Sequence, residues 1–224
     1  MVVAALVLSF GGWVLFTSLR DDSPVAPVAE ASAGPVDRCT GSTQTTDSPL
    51  NFASAPPVDS SIATGTTITF TTNCGPIVVQ TLPKLAPKTV ASEVFLAEQG
   101  YYDQTPCHRL TTEGIYVLQC GDPTGTGQGG PGYTLPDENL PAKTSTVYRA
   151  GTVAMANAGS GTSGSQFFIV YEDSPLGPDY TVWGKVTSGL DIVKAVAAAG
   201  VADGSSDGTP SQPVVIEQAT VSRP

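Results

Sequence analysis

The chain has 224 residues, 40% of them apolar, and its 20 acidic against 10 basic side chains give a formal net charge of −10. That balance disfavours a nucleic-acid-binding surface. The sole histidine, His108, excludes a His-rich metal centre, and four cysteines without a CxxC pair give no structural zinc pattern.

Residues 1–19 carry no charge, and Arg20-Asp21-Asp22 closes the run with a polar boundary. Its length matches the roughly 20 residues that span a bilayer core, so residues 1–20 read as a transmembrane signal anchor and the membrane becomes an expected partner. A cleaved signal peptide is the rival. Ala29-Glu30-Ala31 and Ala31-Ser32-Ala33 fit a small-x-small cleavage pattern, but they lie well beyond the apolar run, and no basic segment precedes it. Residues 21–61 are rich in Pro, Ala, Ser and Thr and poor in large apolar side chains, so they read as a flexible tether that cannot offset its own ordering entropy. Residues 62–224 remain as the folded domain.

In that domain "TTITFTTNCGPIVVQTL", from Thr66, alternates and is broken by Asn73-Cys74-Gly75-Pro76, which predicts two strands joined by a turn. Over residues 87–99 the period changes: Val90, Val94, Phe95 and Ala97 gather on one side, Pro87 suits a first helical turn, and Gly100 suits its end. Residues 105–122 read as two strands around a polar turn containing Gly114, followed by a glycine-rich loop to about residue 140. Strands over 147–156 and 165–171 flank the small-residue stretch "MANAGSGTSGSQFFI". Residues 180–186 predict another strand, 189–200 a second helix with Ser188 as candidate cap, and 213–221 a last strand. Short strands, two isolated helices and no βαβ rhythm predict a closed antiparallel barrel with helical caps.

Gly125-x-Gly127-x-x-Gly130 satisfies G-x-G-x-x-G literally. Pro131-Gly132 follows where a helix should begin, so a dinucleotide site is not expected. No G-x-S-x-G elbow is present. His108, wedged against Arg109, is expected to be structural, with its ring hydrogen-bonded inside the strand pair.

"HRL" at 108–110, Tyr116-x-x-Gln119, "MANAG" at 155–159, "GSQFFI" at 164–169 and "WGKV" at 183–186 occur in this order around the glycine-rich loop. Together they resemble the cyclophilin family of peptidyl-prolyl cis/trans isomerases, across about residues 64–222, and within it the membrane-anchored, extracytoplasmic bacterial type. The resemblance implies a mainly β fold, a closed eight-stranded antiparallel β-barrel capped by two α-helices. It implies catalysis by Arg109 with Gln119, an apolar floor of Tyr116, Phe168 and Leu176, a peptide held by Gln166 and the backbone of Ala156-Asn157, and Tyr180 at the pocket edge. The implied partners are proline-containing polypeptides, with no nucleic acid, metal or cofactor, and the implied role is to assist folding of exported proteins. The alternative is a low-turnover proline-peptide binding module at the membrane surface. Two extra residues between Arg109 and Gln119, Tyr116 for phenylalanine and Pro175 for tryptophan depart from the best-known relatives.

Cys107 and Cys120 flank the turn between the two strands of the Arg109 hairpin. A cross-strand pairing centred there brings them opposite as a disulfide, against the alternative of buried free thiols. Cys39 and Cys74 are candidates for a second bridge. Disulfides belong outside the cytosol, in keeping with an extracytoplasmic domain.

Overall fold

The computed structural model describes residues 39–41, 50–144 and 147–224. The anchor expected at residues 1–20 lies outside these residues, as does most of the expected tether. The described part of that segment contacts the domain. Cys39 is bonded to Cys74, Thr40 N–H donates to Asn73 O at 3.0 Å, Ile62 is buried, and Phe52 meets Phe95 edge-on at 4.9 Å.

β1 (Thr67–Thr72) and β2 (Gly75–Thr81) form the expected hairpin, with Ile68 opposite Val79 and Phe70 opposite Ile77, all four turned inward. Buried Asn73 in its turn satisfies three bonds at once: its amide donates to Thr40 O and Pro213 O, and its Oδ1 accepts from Val215 N–H at 2.8 Å. The turn is thereby tied to the last strand. α1 (Pro87–Glu98) starts at Pro87, and its first amides are capped from the glycine-rich loop: Glu138 accepts from Lys88 N–H at 3.2 Å and from Thr89 N–H at 2.8 Å. A carboxylate there also meets the positive end of the helix dipole.

The chain continues through β3 (Thr105–Cys107), β4 (Arg109–Thr111), β5 (Val117–Cys120), β6 (Thr152–Met155), β7 (Phe167–Val170), β8 (Val182–Ser188), α2 (Leu190–Ala199), β9 (Asp207–Gly208) and β10 (Val214–Ser222). Serine 188 is not the cap of α2: it ends β8, and Gly189, at φ 87°, occupies the cap position. All strands join one antiparallel sheet in the order β3-β10-β1-β2-β8-β6-β7-β5-β4-β9. Ten strands stand where eight were expected because residues 105–111 break at His108 into β3 and β4, and because two-residue β9 adds an edge. The break also curls the sheet. β3 pairs with β10 at one end of the order while β4 pairs with β5 near the other, and only His108 separates them in the chain.

Inside the curl Phe70 stacks on Phe167 at 4.9 Å, and Trp183 and Tyr102 meet Phe167 edge-on at 5.8 Å each. Cys107 of β3 is bonded to Cys120 of β5. The two are not directly opposite, since Arg109 pairs with Gln119 and the register therefore sets His108 against Cys120. Closing a loop of this size is worth about 3 kcal/mol in the chain-entropy model.

Glu93 of α1 is fully buried. Its Oε2 accepts from Tyr102 O–H at 2.7 Å, while Oε1 has no partner among the described residues. Burial pushes its pKa up to about 8, against the lowering effect of the Tyr102 bond. Between pH 4.5 and 8 the folded state therefore holds a proton that the unfolded state has released, and stability falls as pH rises. His108, lowered by burial, acts in the opposite direction only below its ordinary value of 6.5. Urea denaturation from pH 6.5 to 8 should thus show falling stability, and Glu93→Gln should flatten that slope; an unchanged slope would assign the effect to another group.

Candidate active site

Strand register assembles the site. Arg109 of β4 lies beside Gln119 of β5, Gln119 beside Phe168 of β7, and Phe168 beside Ala154 of β6. Residues in such a row share one face of a sheet. Here it is the outer face, where Phe168, Val117, Ala154, Val170 and Tyr148 form a small cluster separate from the main core. The adjacent phenylalanines divide between the faces: Phe167 fills the interior and Phe168 the outer cluster.

Above this cluster opens a cavity of about 550 Å³, walled by Arg109, Gln119, Phe168, Leu176, Tyr180, Ala156 and Asn157 among others. Phe168 and Tyr180 meet edge-on at 5.3 Å, and Tyr148 stands 6.2 Å from Tyr180, so the apolar floor is aromatic and mutually braced. Tyr116 is not part of it. Alternation along β5 turns Val117 and Gln119 outward and Leu118 and Cys120 inward, so Tyr116 packs on the main core against Tyr171, at 6.0 Å, and Ile115 and Val117 line the cavity instead. His108 does line the cavity, but neither ring nitrogen has a partner among the described residues, which corrects the expected hydrogen bond.

The polar wall is one connected chain. Asp207 accepts from Arg109 Nε at 2.7 Å and from Nη2 at 2.8 Å; Arg109 Nη1 donates to Gln119 Oε1 at 3.2 Å. Gln119 Nε2 donates to Gln166 Oε1 at 2.9 Å, and Gln166 Nε2 to Gly129 O at 2.9 Å. Bonding to Asp207 raises the already high pKa of Arg109 against the effect of burial, and the same contact holds the Asp207 carboxyl below the usual carboxylate range. Three of the five guanidinium hydrogens are engaged, leaving one on Nη1 and one on Nη2 for a ligand.

Gln166 lines a second cavity, of about 640 Å³, which shares Gln119, Gly127, Gln128, Ala156 and Asn157 with the first. The glycine-rich loop between them is organised by Asp122, whose carboxylate accepts from Thr124, Gly127 and Gly129 N–H at 2.7–3.0 Å. Burial pushes that carboxyl up, but the Thr124 hydroxyl, which donates to it at 2.7 Å, and these N–H bonds together keep it below its ordinary value. Ala156 N–H is taken by Gln166 O, and the Asn157 side chain bonds Asp179 O and Gly159 N–H. These two residues thus line both cavities.

Sequence reasoning did not find Asp207. It lies in "DGSSDGTPS", one of two aspartates among loop-formers, and only the pairing of β9 with β4, Asp207 opposite Thr111, brings it to Arg109.

Residues 67–221 match the family model described as "Cyclophilin type peptidyl-prolyl cis-trans isomerase/CLD". The chain is 47% identical over 160 residues to a probable peptidyl-prolyl cis-trans isomerase B of Mycobacterium tuberculosis, an alignment covering 66% of this chain and 52% of that protein. It spans about half the length of the first mycobacterial relatives it matches. It is 38% identical over 181 residues to a probable peptidyl-prolyl cis-trans isomerase A of Mycobacterium leprae, covering 74% of this chain and 97% of the relative. A crystal structure of a Cryptosporidium parvum cyclophilin-type isomerase, solved in the presence of the dipeptide Ala-Pro, superposes with a TM-score of 0.61 at 28% identity, over 70% of this chain and 99% of the other.

The Arg109–Asp207 pair is partly exposed, at 39% and 54% of the side chains, so it belongs with ion pairs worth about 0.2–1 kcal/mol. Asp207→Ala should therefore speed solvent exchange of the Arg109 Nε–H by about 1.4- to 5-fold, the factor those energies correspond to. Amide protection at Leu110 and Leu118 should be unaltered. Unchanged Nε–H exchange would mean that Gln119 alone orients the guanidinium.

Proposed function

The chain belongs to the cyclophilin-type peptidyl-prolyl cis-trans isomerase family, and from that membership we propose that it accelerates rotation about Xaa-Pro peptide bonds. The observation that carries this reading is the row Arg109–Gln119–Phe168, which sets hydrogen-bond donors directly beside an aromatic floor.

Rotation about a prolyl bond meets a barrier of roughly 20 kcal/mol, because twisting destroys amide resonance. In the twisted state the prolyl nitrogen regains its lone pair, which neither planar isomer offers. The two uncommitted N–H groups of Arg109 suit that lone pair, so their bond forms in the transition state and not before. Phe168, Leu176 and Tyr180 hold the ring while the preceding carbonyl swings, and the second N–H of Gln119 Nε2 is left to follow it. A 10⁵-fold acceleration corresponds to about 7 kcal/mol, within reach of a few hydrogen bonds strengthened in a partly dry pocket. No proton is transferred, so the site needs no acid-base pair.

The substrates in this reading are exported polypeptides, met at the outer face of a membrane to which residues 1–20 anchor the domain. Two disulfides, Cys39–Cys74 and Cys107–Cys120, support an oxidising location. Peptide mapping without reduction, on protein from its native cells, should recover both bridges; free thiols at Cys107 and Cys120 would remove the assignment. A second reading, a proline-peptide binding module of low turnover, uses the same cavity and aromatic floor.

A protease-coupled assay on a Xaa-Pro peptide decides between them. Arg109→Ala should lower kcat by about 10²–10³-fold, as removal of a transition-state donor does, with an unchanged melting temperature because the guanidinium is outside the core. Near-wild-type turnover in the folded variant would sink this mechanism. Peptide binding by the wild type without turnover would establish the second reading.

A further inference from the structure

The family match begins at residue 67, so Asn51 and Phe52 lie outside it, yet both sit against the glycine-rich loop. Phe52 N–H donates to Pro131 O at 2.8 Å, and its ring packs on Phe95 at 4.9 Å and Tyr101 at 6.3 Å. The approach is close at Gly132, φ +93°, where an added Cβ would stand 2.0 Å from Asn51 Oδ1 and 2.7 Å from Phe52 O. Only glycine permits both that backbone conformation and that contact. Docked in this way, the segment makes Asn51 part of the wall of the 640 Å³ cavity.

That cavity adjoins the Arg109 pocket through Gln119, Gly127, Gln128, Ala156 and Asn157. A polypeptide with its proline over Phe168 therefore passes a flanking side chain into it. None of the residues lining the second cavity carries a formal charge; its wall is backbone, amide and hydroxyl. A charged side chain entering it loses hydration and meets no counter-charge, whereas a hydroxyl or carboxamide finds donors and acceptors.

We propose that Asn51 is a specificity-determining residue, presented by the docked N-terminal segment, which selects an uncharged hydrogen-bonding side chain at a position flanking the substrate proline. This rests on the isomerase reading. It deepens that reading by naming the substrate class: Ser, Thr, Asn or Gln near the proline, in preference to Glu or Lys.

The test uses the full-length chain and a panel of Xaa-Pro peptides. Each of three positions on either side of the proline is set in turn to Ser, Gln, Glu or Lys, and both kcat/KM and affinity by fluorescence anisotropy are measured. At one position the wild type should prefer Ser and Gln. There, Asn51→Asp should raise the Lys-to-Glu ratio and Asn51→Lys should lower it, each by about 3- to 10-fold, since one ion pair is gained as one like-charge contact is added. Opposite shifts cannot arise from loss of docking, which would move both variants the same way. Phe52→Ala, which releases the segment, should erase the wild-type preference. Isomerisation with one Lys-to-Glu ratio across wild type and both variants would overturn the proposal. Opposite affinity shifts without isomerisation of any peptide would overturn the isomerase reading and leave the role of Asn51 standing.

Discussion

Along residues 105–110 the buried side chains are Thr105, Cys107 and Leu110, so the spacing jumps from two to three, and His108 and Arg109 both line the outer cavity. A regular strand would send one of them inward. This bulge-like step lets a single stretch of chain pair with β10 before it and β5 after it, which is what curls the sheet. It also sets the register of β4, and through it the row Arg109–Gln119–Phe168–Ala154. A slip of one residue would turn that whole row into the core and expose Leu110, Leu118 and Phe167. The disulfide from Cys107 to Cys120, on the strands either side of β4 in the chain, fixes the step at its most sensitive point.

The polar chain at the site follows from this geometry. Long side chains held side by side on one face have little choice but to bond one another: Arg109 donates to Asp207 on one side and to Gln119 on the other, and from Gln119 donation runs on through Gln166 to Gly129 O. Such a chain polarises along its length. Because Gln119 and Gln166 stand between the two cavities, they brace the guanidinium on one side and the glycine-rich loop on the other. In the proposed function the bareness of "MANAGSGTSGSQ" serves the same geometry, its small residues leaving room for a substrate backbone beside both cavities.

Legibility in the sequence tracked how local each feature is. The hairpin of β1 and β2 and both helices were readable because alternation, helical period, Pro87 and Gly200 act within a few residues of one another. Tyr116 departs from the family likeness because strand alternation turns it to the main core and leaves Ile115 and Val117 at the cavity. Ser188 has the composition of a cap, but the strand before it takes precedence, and Gly189 supplies the backbone conformation instead. Asp207 and the docking of Phe52 depend on contacts 98 and 79 positions away in the chain, to Arg109 and Pro131, and no local pattern announces them. Low hydrophobicity over residues 21–61 argues against an independent core, yet says nothing about a single phenylalanine lying on a core built elsewhere.

In the isomerase mechanism proposed above, Asp207 bears on how the site separates binding from rotation. A free guanidinium facing a peptide would attract any carbonyl oxygen, stabilising the planar substrate along with the twisted one, and uniform stabilisation leaves the barrier unchanged. With Nε and one Nη2 hydrogen held by the carboxylate and one Nη1 hydrogen by Gln119, the charge is partly balanced and the remaining two hydrogens have fixed directions. Their value then depends on where the acceptor lies, and only rotation brings the prolyl nitrogen lone pair into being. Fixed donors also need no reorganisation at the moment of reaction. The ion pair that dampens electrostatic attraction in the ground state is thus the same contact that makes the site selective for the twisted bond.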